Sequence, residues 1–323
     1  MSEGSRIMPD HYVAWWNVEN LFDLTSSQHR SVRLQTRLRS ELKGWTAPVL
    51  NAKLRQLASI ITQMNAGLGP DILGVCEVEN EPVLDKLVAA LASLGRNYRV
   101  AHEDSSDNRG IDIAFIYDAD RYDAELQFHY EVVKRSPTRD IFQVNFRTTD
   151  GRLLVLIGNH WPSRAGEAAY RILAGESLSY WIQRIHEVLG GEPSILVMGD
   201  FNDEPFNTSL TDFALSTEMT TKVLRARNER LHNLMWPLMG QGLTSYVYRG
   251  IPTMLDQFLV SRGMLRRDAE IKPIRESVSV LRYPEMVKSG YNAPKRFGRP
   301  SSGLDQDGFS DHYPIAVMLR EDE

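Results

Sequence analysis

Cysteine is almost missing from this sequence. Cys76 is the single cysteine among 323 residues, so neither an intrachain disulfide nor a zinc site built on a cysteine pair can form. The sequence also lacks the run of about eighteen apolar residues that a membrane-spanning helix needs, and no apolar segment follows its first residues as it would in a secretory signal. We therefore expect a cytoplasmic protein that has no membrane partner.

A strong excess of one charge is missing as well. The net charge is −5, 42% of the residues are hydrophobic and 24% are charged, which is typical of a globular protein and argues against a fibrous or disordered chain. A mildly acidic chain is a poor candidate for indiscriminate nucleic-acid binding, although a local basic patch remains compatible with it. No repeat or low-complexity linker divides the sequence, so we expect one domain over residues 1–323 with a core at about 12–320. The sequence does not determine the oligomeric state, and a monomer is assumed.

Apolar runs that stop at acids and amides are the main pattern that the sequence does contain. Residues 195–198 are four consecutive apolar residues, which predicts a strand buried on both faces, and Gly199 to Asp203 predict a tight loop at its carboxyl end. Such loops are where α/β proteins place their chemistry. Further strands are predicted at residues 12–16, 71–76, 111–117, 153–158, 255–260 and 314–319.

Between these strands, apolar residues occur either at helical spacing or in alternation with polar residues. The predicted elements are a helix at residues 50–66, a helix opened by Pro82, a helix over 172–189, an exposed loop from His102 to Gly110, and a hairpin over 126–147 that turns at Ser136–Pro137. Residues 218–250 follow no period that assigns an element. Strands that alternate with helices indicate the α/β class.

Polar side chains of a restricted kind follow the strands. They are carboxylates, amides and imidazoles with almost no lysine: Asn17, Glu19, Glu77, Asn159, His160, Asp200, Asn202, Asp256, Asp311 and His312, with Asp112 inside a strand. Residues selected only for turn geometry would include more serine, threonine and lysine, whereas this set suits a hard cation beside an acid–base pair. The oxygen ligands predicted for Mg²⁺ or Mn²⁺ are Glu19, Glu77 and Asp311.

The two histidines of this set, His160 and His312, each need a partner that fixes the ring. An acid bonded to one ring nitrogen sets the tautomer and raises the basicity of the imidazole. Asp112 and Asp256 lie inside strands, where an unpaired charge is costly, so we expect them to be these partners. Two Asp–His pairs beside a cation match the needs of phosphate-ester hydrolysis: one imidazole takes a proton from water or orients the phosphate, and the other stabilises or protonates an oxygen.

Some of these residues also have simpler interpretations. For the Asp200 loop taken alone, capping of the next helix is as good an interpretation as a site. Asp203 and Glu204 are candidate ligands too, but capping of the following turn is their expected role. The basic segments at residues 25–55 and 282–299 would either grip a nucleic-acid backbone or simply be solvated.

Six short strings resemble the motifs of the endonuclease/exonuclease/phosphatase superfamily, which includes pancreatic-type DNases and inositol polyphosphate 5-phosphatases. The strings are WNVENL at 16–21, VCEV at 75–78, GNH at 158–160, GDFN at 199–202, LDQFLVS at 255–261 and SDHYPI at 310–315. They follow the family's order over nearly the whole chain. The resemblance implies a DNase I-like α/β fold, a four-layered sandwich in which two mixed β-sheets pack face to face with helices outside.

The resemblance also implies a role for each candidate residue. The metal set is Glu77 as the principal ligand, with Glu19, Asn17 and Asp311 near the same ion. The catalytic set is Asp200 and Asn202, which would orient the attacking water and the phosphate, His312 held by Asp256, and His160 on the phosphate with Asp112 as its acid partner. The substrate-binding set is Asn159, Ser163 and Arg164. The implied cofactor is Mg²⁺ or Mn²⁺.

Fold and reaction type follow from the resemblance, but the substrate does not, because one fold hosts different functions. We expect a metal-dependent phosphodiesterase, and above all a nuclease that acts on DNA or RNA. The alternative is a phosphomonoesterase on a small phosphorylated substrate such as an inositol phosphate or a nucleotide. A non-catalytic binding protein would leave gaps in the catalytic set, and the sequence shows none.

Overall fold

The computed structural model describes residues 10–105, 109–132 and 141–322. The strands in these ranges are β1 (Asp10–Leu21), β2 (Ile72–Val78), β3 (Tyr98–His102), β4 (Asp112–Asp118), β5 (Tyr122–Tyr130), β6 (Ile141–Thr148), β7 (Leu153–His160), β8 (Ser194–Asp200), β9 (Ser216–Thr217), β10 (Leu231–Asn233), β11 (Tyr246–Tyr248), β12 (Ile251–Thr253), β13 (Asp256–Val260), β14 (Ile271–Val280), β15 (Gly298–Arg299), β16 (Gly303–Leu304) and β17 (Ile315–Glu321). The helices are α1 (Val32–Leu38), α2 (Ala47–Ile61), α3 (Glu81–Ala90), α4 (Ala168–Leu189), α5 (Thr220–Arg225) and α6 (Trp236–Gly240), with a π-helical turn at Ser209–Phe213. Across these ranges, none of the helices has the length and apolar character to cross a membrane.

Most of the strands belong to two mixed sheets. The first has the order β14-β17-β1-β2-β4-β3, and the second has the order β5-β6-β7-β8-β13-β10-β9. In the first sheet β1 is parallel to β2 and antiparallel to β17. In the second sheet β7 is parallel to β8, and β8 is antiparallel to β13. The two mixed sheets that the sequence resemblance implied are therefore present.

The two sheets pack face to face, and helices cover their outer faces. The side chains between the sheets are fully buried and include Trp15, Phe115, Met198, Phe258 and Ile315. Helices α2 and α3 cover the first sheet through Leu57, Ile60, Leu84 and Leu87. Helix α4 covers the second sheet through Leu178, Ile182 and Ile185. Each element buries its apolar face in this arrangement, which gives the four layers of the predicted sandwich.

Two glycines let the sheets approach each other closely. A Cβ atom on Gly74 of the first sheet would come within 3.0 Å of Met198 Sδ in the second, and one on Gly158 of the second sheet would come within 2.5 Å of Ile113 in the first. Larger residues at these two positions would force the sheets apart. The indole Nε1 of Trp15 donates to Asp256 Oδ1 of the second sheet at 3.2 Å. One side chain therefore fills the core and also reaches a predicted site residue.

The predicted elements are found with shifted ends. The helix predicted at residues 50–66 is α2, which ends at Ile61 because the chain then enters a 3₁₀ turn. His102, expected in an exposed loop, is the last residue of β3 and its side chain is 4% exposed. The turn predicted at Ser136–Pro137 lies outside the described residues, and the flanking β5 and β6 pair antiparallel as expected. Residues 218–250 hold elements of three to six residues, which are too short to show a period.

Bulges at the ends of β1 and β2 place acidic side chains at one end of the sandwich. The β1–β2 register shifts between Asn17 and Leu21, and the β2–β4 register shifts at Glu77. Glu19 and Glu77 lie at these shifts with φ of 51° and 65°, in a left-handed conformation that is uncommon for residues other than glycine. Backbone strain is thus stored where the predicted site residues gather.

Candidate active site

Strand ends from both sheets meet at one end of the sandwich. Asn17, near the end of β1, donates from Nδ2 to Asp200 Oδ2 at the end of β8, at 3.1 Å, while its Oδ1 accepts from the backbone of Glu19 at 3.0 Å. The bond from Trp15 to Asp256 crosses between the sheets a few residues below. Since β1 belongs to the first sheet and β8 and β13 to the second, these bonds fix the sheets to each other under the site.

The structure brings His312 and Asp256 together as a buried pair. Nδ1 of His312 lies 2.7 Å from Oδ2 of Asp256, and both side chains are buried. Ser310 holds this segment in place, because its hydroxyl donates to Asn17 O at 2.6 Å and accepts from the His312 amide at 3.2 Å. With Nδ1 held by the carboxylate, Nε2 is the nitrogen of His312 that is presented to the site.

Two histidines turn Nε2 toward the same carboxylate oxygen. Oδ2 of Asp200 lies 3.8 Å from Nε2 of His312 and 3.7 Å from Nε2 of His160. Nε2 of His160 also lies 3.6 Å from Oε1 of Glu77. The backbone amide of Asn202 donates to Asp200 Oδ1 at 2.9 Å, and its side-chain amide donates to Oδ2 at 3.3 Å. The imidazoles of His160 and His312 and the carboxylates of Asp200 and Glu77 therefore form one cluster, which suits binding of a phosphoryl group and an attacking water next to it.

Burial and neighbouring charges displace the pKa values of this group. Burial raises the pKa of Asp200 to about 6, with Asp256 adding to the effect and His312 opposing it. Burial alone would lower the pKa of His312, but Asp256 and Asp200 raise it to about 10. At neutral pH His312 is therefore held as an imidazolium, and Asp200 is close to its titration range. Displaced pKa values in one cluster are typical of acid–base sites.

Glu77 and Asp311 form the acidic side of the site. Oε2 of Glu77 accepts from the Asn20 amide at 3.0 Å. Burial, together with the neighbouring Glu19 and Glu77, raises the pKa of Asp311 to about 7. The repulsion between carboxylates that raises this pKa falls when a cation binds between them. Carboxylate oxygens are the ligands that Mg²⁺ and Mn²⁺ prefer, so these residues fit a divalent ion of this class.

Glu19 is bound by a neighbouring loop. Its Oε1 accepts from Arg296 Nε at 3.0 Å and lies 2.9 Å from Arg296 Nη2. Its Oε2 accepts from the backbone amides of Phe297 and Gly298 at 2.9 and 3.2 Å. The bulge that gives Glu19 its positive φ turns the side chain to this loop. A residue expected to ligate the metal is thus placed as a partner of Arg296.

Asp112 was expected to hold His160, and the structure corrects this expectation. Its Oδ1 accepts from the amide of Ser105 at 3.1 Å and from the hydroxyl of the same serine. Its Oδ2 lies 3.4 Å from Nε2 of His102. The reason is the alternation of side chains along β4: Asp112 lies on the same face as Ala114 and Ile116, which pack under the helices, whereas Ile113 and Phe115 face the second sheet. The buried acid does face a histidine, but that histidine is the one on the adjacent strand.

Asn159 was expected to contact the substrate, but the structure buries it completely. Its Oδ1 accepts from Nε1 of Trp161 at 3.0 Å, and its Nδ2 donates to Ile157 O at 3.2 Å. Both ends of the amide are thus used within the protein. Asn159 orients the segment that carries His160 and is not placed to touch a ligand.

Two arginines join the loop after β7 to the loop after β8. Arg164 donates from Nε to Asn202 O at 3.0 Å. Arg171 donates from Nη1 to Ser163 O at 3.2 Å, and its Nε lies 2.9 Å from Oδ1 of Asp203. Ser163 and Arg164, expected to bind phosphate, are thus found in contacts between the loops. Arg171 lies on α4, outside every motif, and its role had no signal in the sequence.

Tyr246 is a further residue of the site that the sequence did not reveal. Its ring centre lies 4.4 Å from that of His312, with 32° between the ring planes. Burial, and then Asp311 and Asp200, raise the pKa of Tyr246 above its usual value, which places the phenol beside the acidic side of the site. The residue begins β11, the first strand of the short β11–β12 hairpin, and falls within residues 218–250, where no periodic pattern marks an element.

Arginines of the basic segment at residues 282–299 are paired within the protein. Arg296 binds Glu19 as described above, Arg299 pairs with Glu41, and Arg282 donates to an asparagine of the same segment. These pairs reduce the positive charge that the segment offers to a polyanion. None of these three arginines is therefore an unpaired cation, although the Arg296 side chain remains 54% exposed.

A protein-family model, described as the Endonuclease/Exonuclease/phosphatase family, matches residues 12–321. No curated protein matches the chain. An endonuclease/exonuclease/phosphatase family protein from Bacteroides thetaiotaomicron has a similar structure, with a TM-score of 0.59 at 16% identity over 98% of this chain and 99% of that chain. A mannosyl-6-phosphatase of the same species gives 0.56 at 16% identity over 96% and 99% of the two chains. The human Nocturnin catalytic domain with bound sulfate gives 0.57 at 16% identity over 97% and 94%.

At these identities the solved structures show a shared fold, and they confirm the DNase I-like sandwich expected from the sequence. The family model covers all six strings and the strands between them. The members of this family are enzymes that hydrolyse phosphate esters, and the family suspected from the strings is confirmed. This chain belongs to the endonuclease/exonuclease/phosphatase family and is a phosphoesterase.

Proposed function

We propose that this enzyme is a divalent-metal-dependent phosphodiesterase, and more closely a nuclease that acts on DNA or RNA. The observation that supports the proposal most is the approach of Nε2 of His160 and Nε2 of His312 to Oδ2 of Asp200, at 3.7 and 3.8 Å. A phosphoryl group bound next to Oδ2 of Asp200 would lie within reach of both imidazoles. Groups placed in advance in this way stabilise a transition state without further reorganisation.

Asp200 is proposed to activate the attacking water. Its carboxylate is oriented by the amides of Asn17 and Asn202, and its pKa of about 6 suits a base that works near neutral pH. The carboxylate accepts one proton from the water while the water oxygen forms a bond to phosphorus. The bond between phosphorus and the leaving oxygen then breaks.

His312 is proposed to supply the proton that the leaving oxygen needs. Asp256 keeps its imidazole protonated, with a pKa of about 10, which is below the pKa of a departing alkoxide. After giving the Nε2 proton away, His312 regains a proton through a bridging water from Asp200, whose Oδ2 lies 3.8 Å from Nε2. Both groups return to their starting states, and in net terms the leaving group has gained the proton that the attacking water lost. His160 is proposed to bind a non-bridging phosphoryl oxygen throughout.

Glu77 and Asp311 are proposed to hold the divalent ion, either Mg²⁺ or Mn²⁺, with Asn17 close to it. Such an ion, when bound, polarises a phosphoryl oxygen and offsets negative charge in the transition state. The like-charge environment of Asp311 described above supports a cation at this place. The residues of the chain bind, orient and move protons around it.

A phosphomonoesterase on a small phosphorylated substrate is the second candidate. The internal pairing of Arg299 and Arg282 favours it, because a long polyanion would find little free basic surface on this segment. One protein of similar structure is a mannosyl-6-phosphatase. The same residues would serve both reactions, since a monoester differs only in the groups attached to the phosphorus.

Hydrolysis assays separate the two candidates. Single-stranded DNA, double-stranded DNA and RNA are incubated with the enzyme in Mg²⁺, with and without EDTA, beside a phosphate-release panel of nucleotides, inositol phosphates and hexose phosphates. The Asp200→Asn variant is the matched control for contaminating nucleases. We expect metal-dependent cleavage of nucleic acid by the wild type alone. Turnover of a small monoester without nucleic-acid cleavage would replace the nuclease proposal by the second candidate.

The remaining expectations from the sequence are kept as proposals. We propose one domain, because both sheets contribute residues to the same site. We also propose a monomer in the cytoplasm. Sedimentation of the purified enzyme tests whether it is a monomer, and fractionation of the source cells tests its location.

A further inference from the structure

Groups of the protein occupy all the hydrogen-bond acceptor positions of the Glu19 carboxylate. A carboxylate offers about four lone-pair sites, and four nitrogens approach this one: two of Arg296 at Oε1, and the amides of Phe297 and Gly298 at Oε2. The Glu19 residue is only 2% exposed. Its hydrogen-bonding capacity is therefore met by the protein itself.

The other partner, Arg296, is open to solvent. Its side chain is 54% exposed, although it is paired to a carboxylate that is 2% exposed. A guanidinium carries five N–H donors, which is more than one carboxylate oxygen can use. The planar group is thus fixed along one edge while the rest of it remains accessible.

Arg296 also lies within electrostatic reach of the reactive groups. Burial would lower its pKa, but Glu19 and then Asp311 raise it above the usual value. Asp311 precedes His312 in the chain, and the phenol of Tyr246, which packs on that histidine, is influenced by Arg296 as well. Its partner Glu19 lies two residues after Asn17, which bonds to Asp200, so the guanidinium lies at the end of the sandwich that carries the site.

The loop that carries Arg296 is held on both sides. The Phe297 ring packs edge-on against Trp45, with ring centres 6.2 Å apart. The buried ammonium of Lys53 lies 4.9 Å from the centre of the Phe297 ring and donates to Phe309 O at 2.6 Å. A charged group on such a loop loses little conformational freedom when it binds an anion.

We propose that Arg296 binds the phosphate of the substrate, and that Glu19 is the anchor of this arginine and not a ligand of the metal. The proposal rests on the phosphoesterase function and adds a binding residue to it. Arginine suits the role because its planar fork matches two oxygens of a phosphate group. Glu19 acts through Arg296 and is therefore a positioning residue.

Arg299 offers a matched control on the same loop. It carries the same charge three residues later and is also paired with a carboxylate, that of Glu41. This pair lies at the surface, where Glu41 is 30% exposed. Removing Arg299 changes the net charge as much as removing Arg296 does, but it leaves the Glu19 anchor in place.

The test measures binding and not turnover. Isothermal titration gives the Kd for inorganic phosphate in the presence of Mn²⁺, and separately the Kd for Mn²⁺ without phosphate. The variants are Arg296→Ala, Arg296→Lys, Glu19→Gln, Arg299→Ala and Glu77→Gln, each checked by thermal melting. Arg296→Lys keeps the charge but loses the fork, so it serves if the alanine variant does not fold.

We expect Arg296→Ala to raise the phosphate Kd about tenfold or more and Arg299→Ala to change it less than about twofold. Glu19→Gln should weaken phosphate binding with little change in the Mn²⁺ Kd, whereas Glu77→Gln should weaken Mn²⁺ binding. Equal phosphate affinity in the Arg296 and Arg299 variants would overturn the proposal, and so would a loss of Mn²⁺ affinity in Glu19→Gln as large as in Glu77→Gln. Phosphate binding through Arg296 without ester hydrolysis would contradict only the proposed function.

Discussion

The two ends of this sandwich each bury a histidine between the sheets, and the two histidines are held in opposite ways. At the active end, carboxylates raise the pKa of His312 to about 10 against the effect of burial. At the far end, burial and then Arg121 lower the pKa of His11. The same side chain is therefore kept charged at one end and neutral at the other.

The far end is a network whose groups are matched. Nδ1 of His11 lies 2.5 Å from the Tyr122 hydroxyl and Nε2 lies 2.8 Å from Oε2 of Glu321, whose other oxygen accepts from Thr148 at 2.8 Å. Its bonds also cross between the sheets, since His11 and Glu321 belong to the first and Tyr122 and Thr148 to the second. The bonds of this network join the two sheets and stabilise the fold.

The active end differs in its surplus of negative charge and in its backbone. Asp200 and Asp311 both have raised pKa values there, and Glu19, Glu77 and Asn202 have positive φ. Strained backbone and unbalanced carboxylates cost stability and persist where function requires them. Burial of polar groups alone therefore does not mark the site, whereas burial together with unbalanced charge does.

The largest effect should follow from removal of the central carboxylate. Asp200→Asn should lower kcat by about 10²- to 10⁴-fold, because the base for the water is lost. The melting temperature should stay the same or rise, since a buried charge beside Asp256 is removed. Steady-state kinetics and thermal melting measure both. A variant that keeps full activity would remove Asp200 from the mechanism.

The opposite result is expected at the far end. Glu321→Gln should lower the free energy of unfolding by about 1–3 kcal/mol, because the bonds to His11 and Thr148 are weakened. Its kcat should remain within about twofold of the wild type. Urea unfolding and kinetics on the same preparation check this prediction. A tenfold fall in kcat without loss of stability would show that the two ends are not separate in function.

Sequence reasoning reached most of the fold and part of the site, for physical reasons. Buried strands such as β8 are visible because four apolar residues in a row have few other uses. His312 and Asp256 belong to strings that carry their own signal, and the fold places them 2.7 Å apart. The pairing of Asp112 was wrong because this acid lies on the face of β4 that packs under the helices, and an apolar run buried on both faces does not tell the two faces apart.

Other site residues carry no local signal at all. Tyr246 reaches His312 only because a short hairpin packs on the segment before β17. The partnership of Glu19 and Arg296 joins residues 277 positions apart in the chain, and neither residue type by itself predicts the other. Contacts of this kind depend on tertiary packing, which periodicity and motifs do not contain.

The two histidines should give pH dependences of opposite sign in the metal-free protein. The pKa of His312 is raised above 6.5, so its contribution to stability is complete below pH 6.5 and is lost as the pH rises toward about 10. The pKa of His11 is lowered below 6.5, so its contribution to stability is complete above pH 6.5 and is lost as the pH falls below that value. Urea unfolding in EDTA at several pH values, compared with His312→Gln and His11→Asn, isolates each effect. Slopes of the same sign would contradict the comparison.

The smallest effect should come from replacing Arg171 and Arg96, two arginine clamps that each join two segments of the chain beside one end of the sandwich. Arg171→Lys should lower kcat by about three- to tenfold with little change in KM, because Arg171 joins Ser163 to Asp203 and so sets the distance between the two loops of the site. Arg96 is the matched clamp at the far end, where it bridges Asp71 and Asp118 at 2.6 and 2.9 Å. Arg96→Lys should lower the melting temperature and leave kcat unchanged. If both variants lost only stability, Arg171 would be a structural clamp like Arg96, and the active end would be distinguished by its carboxylates alone.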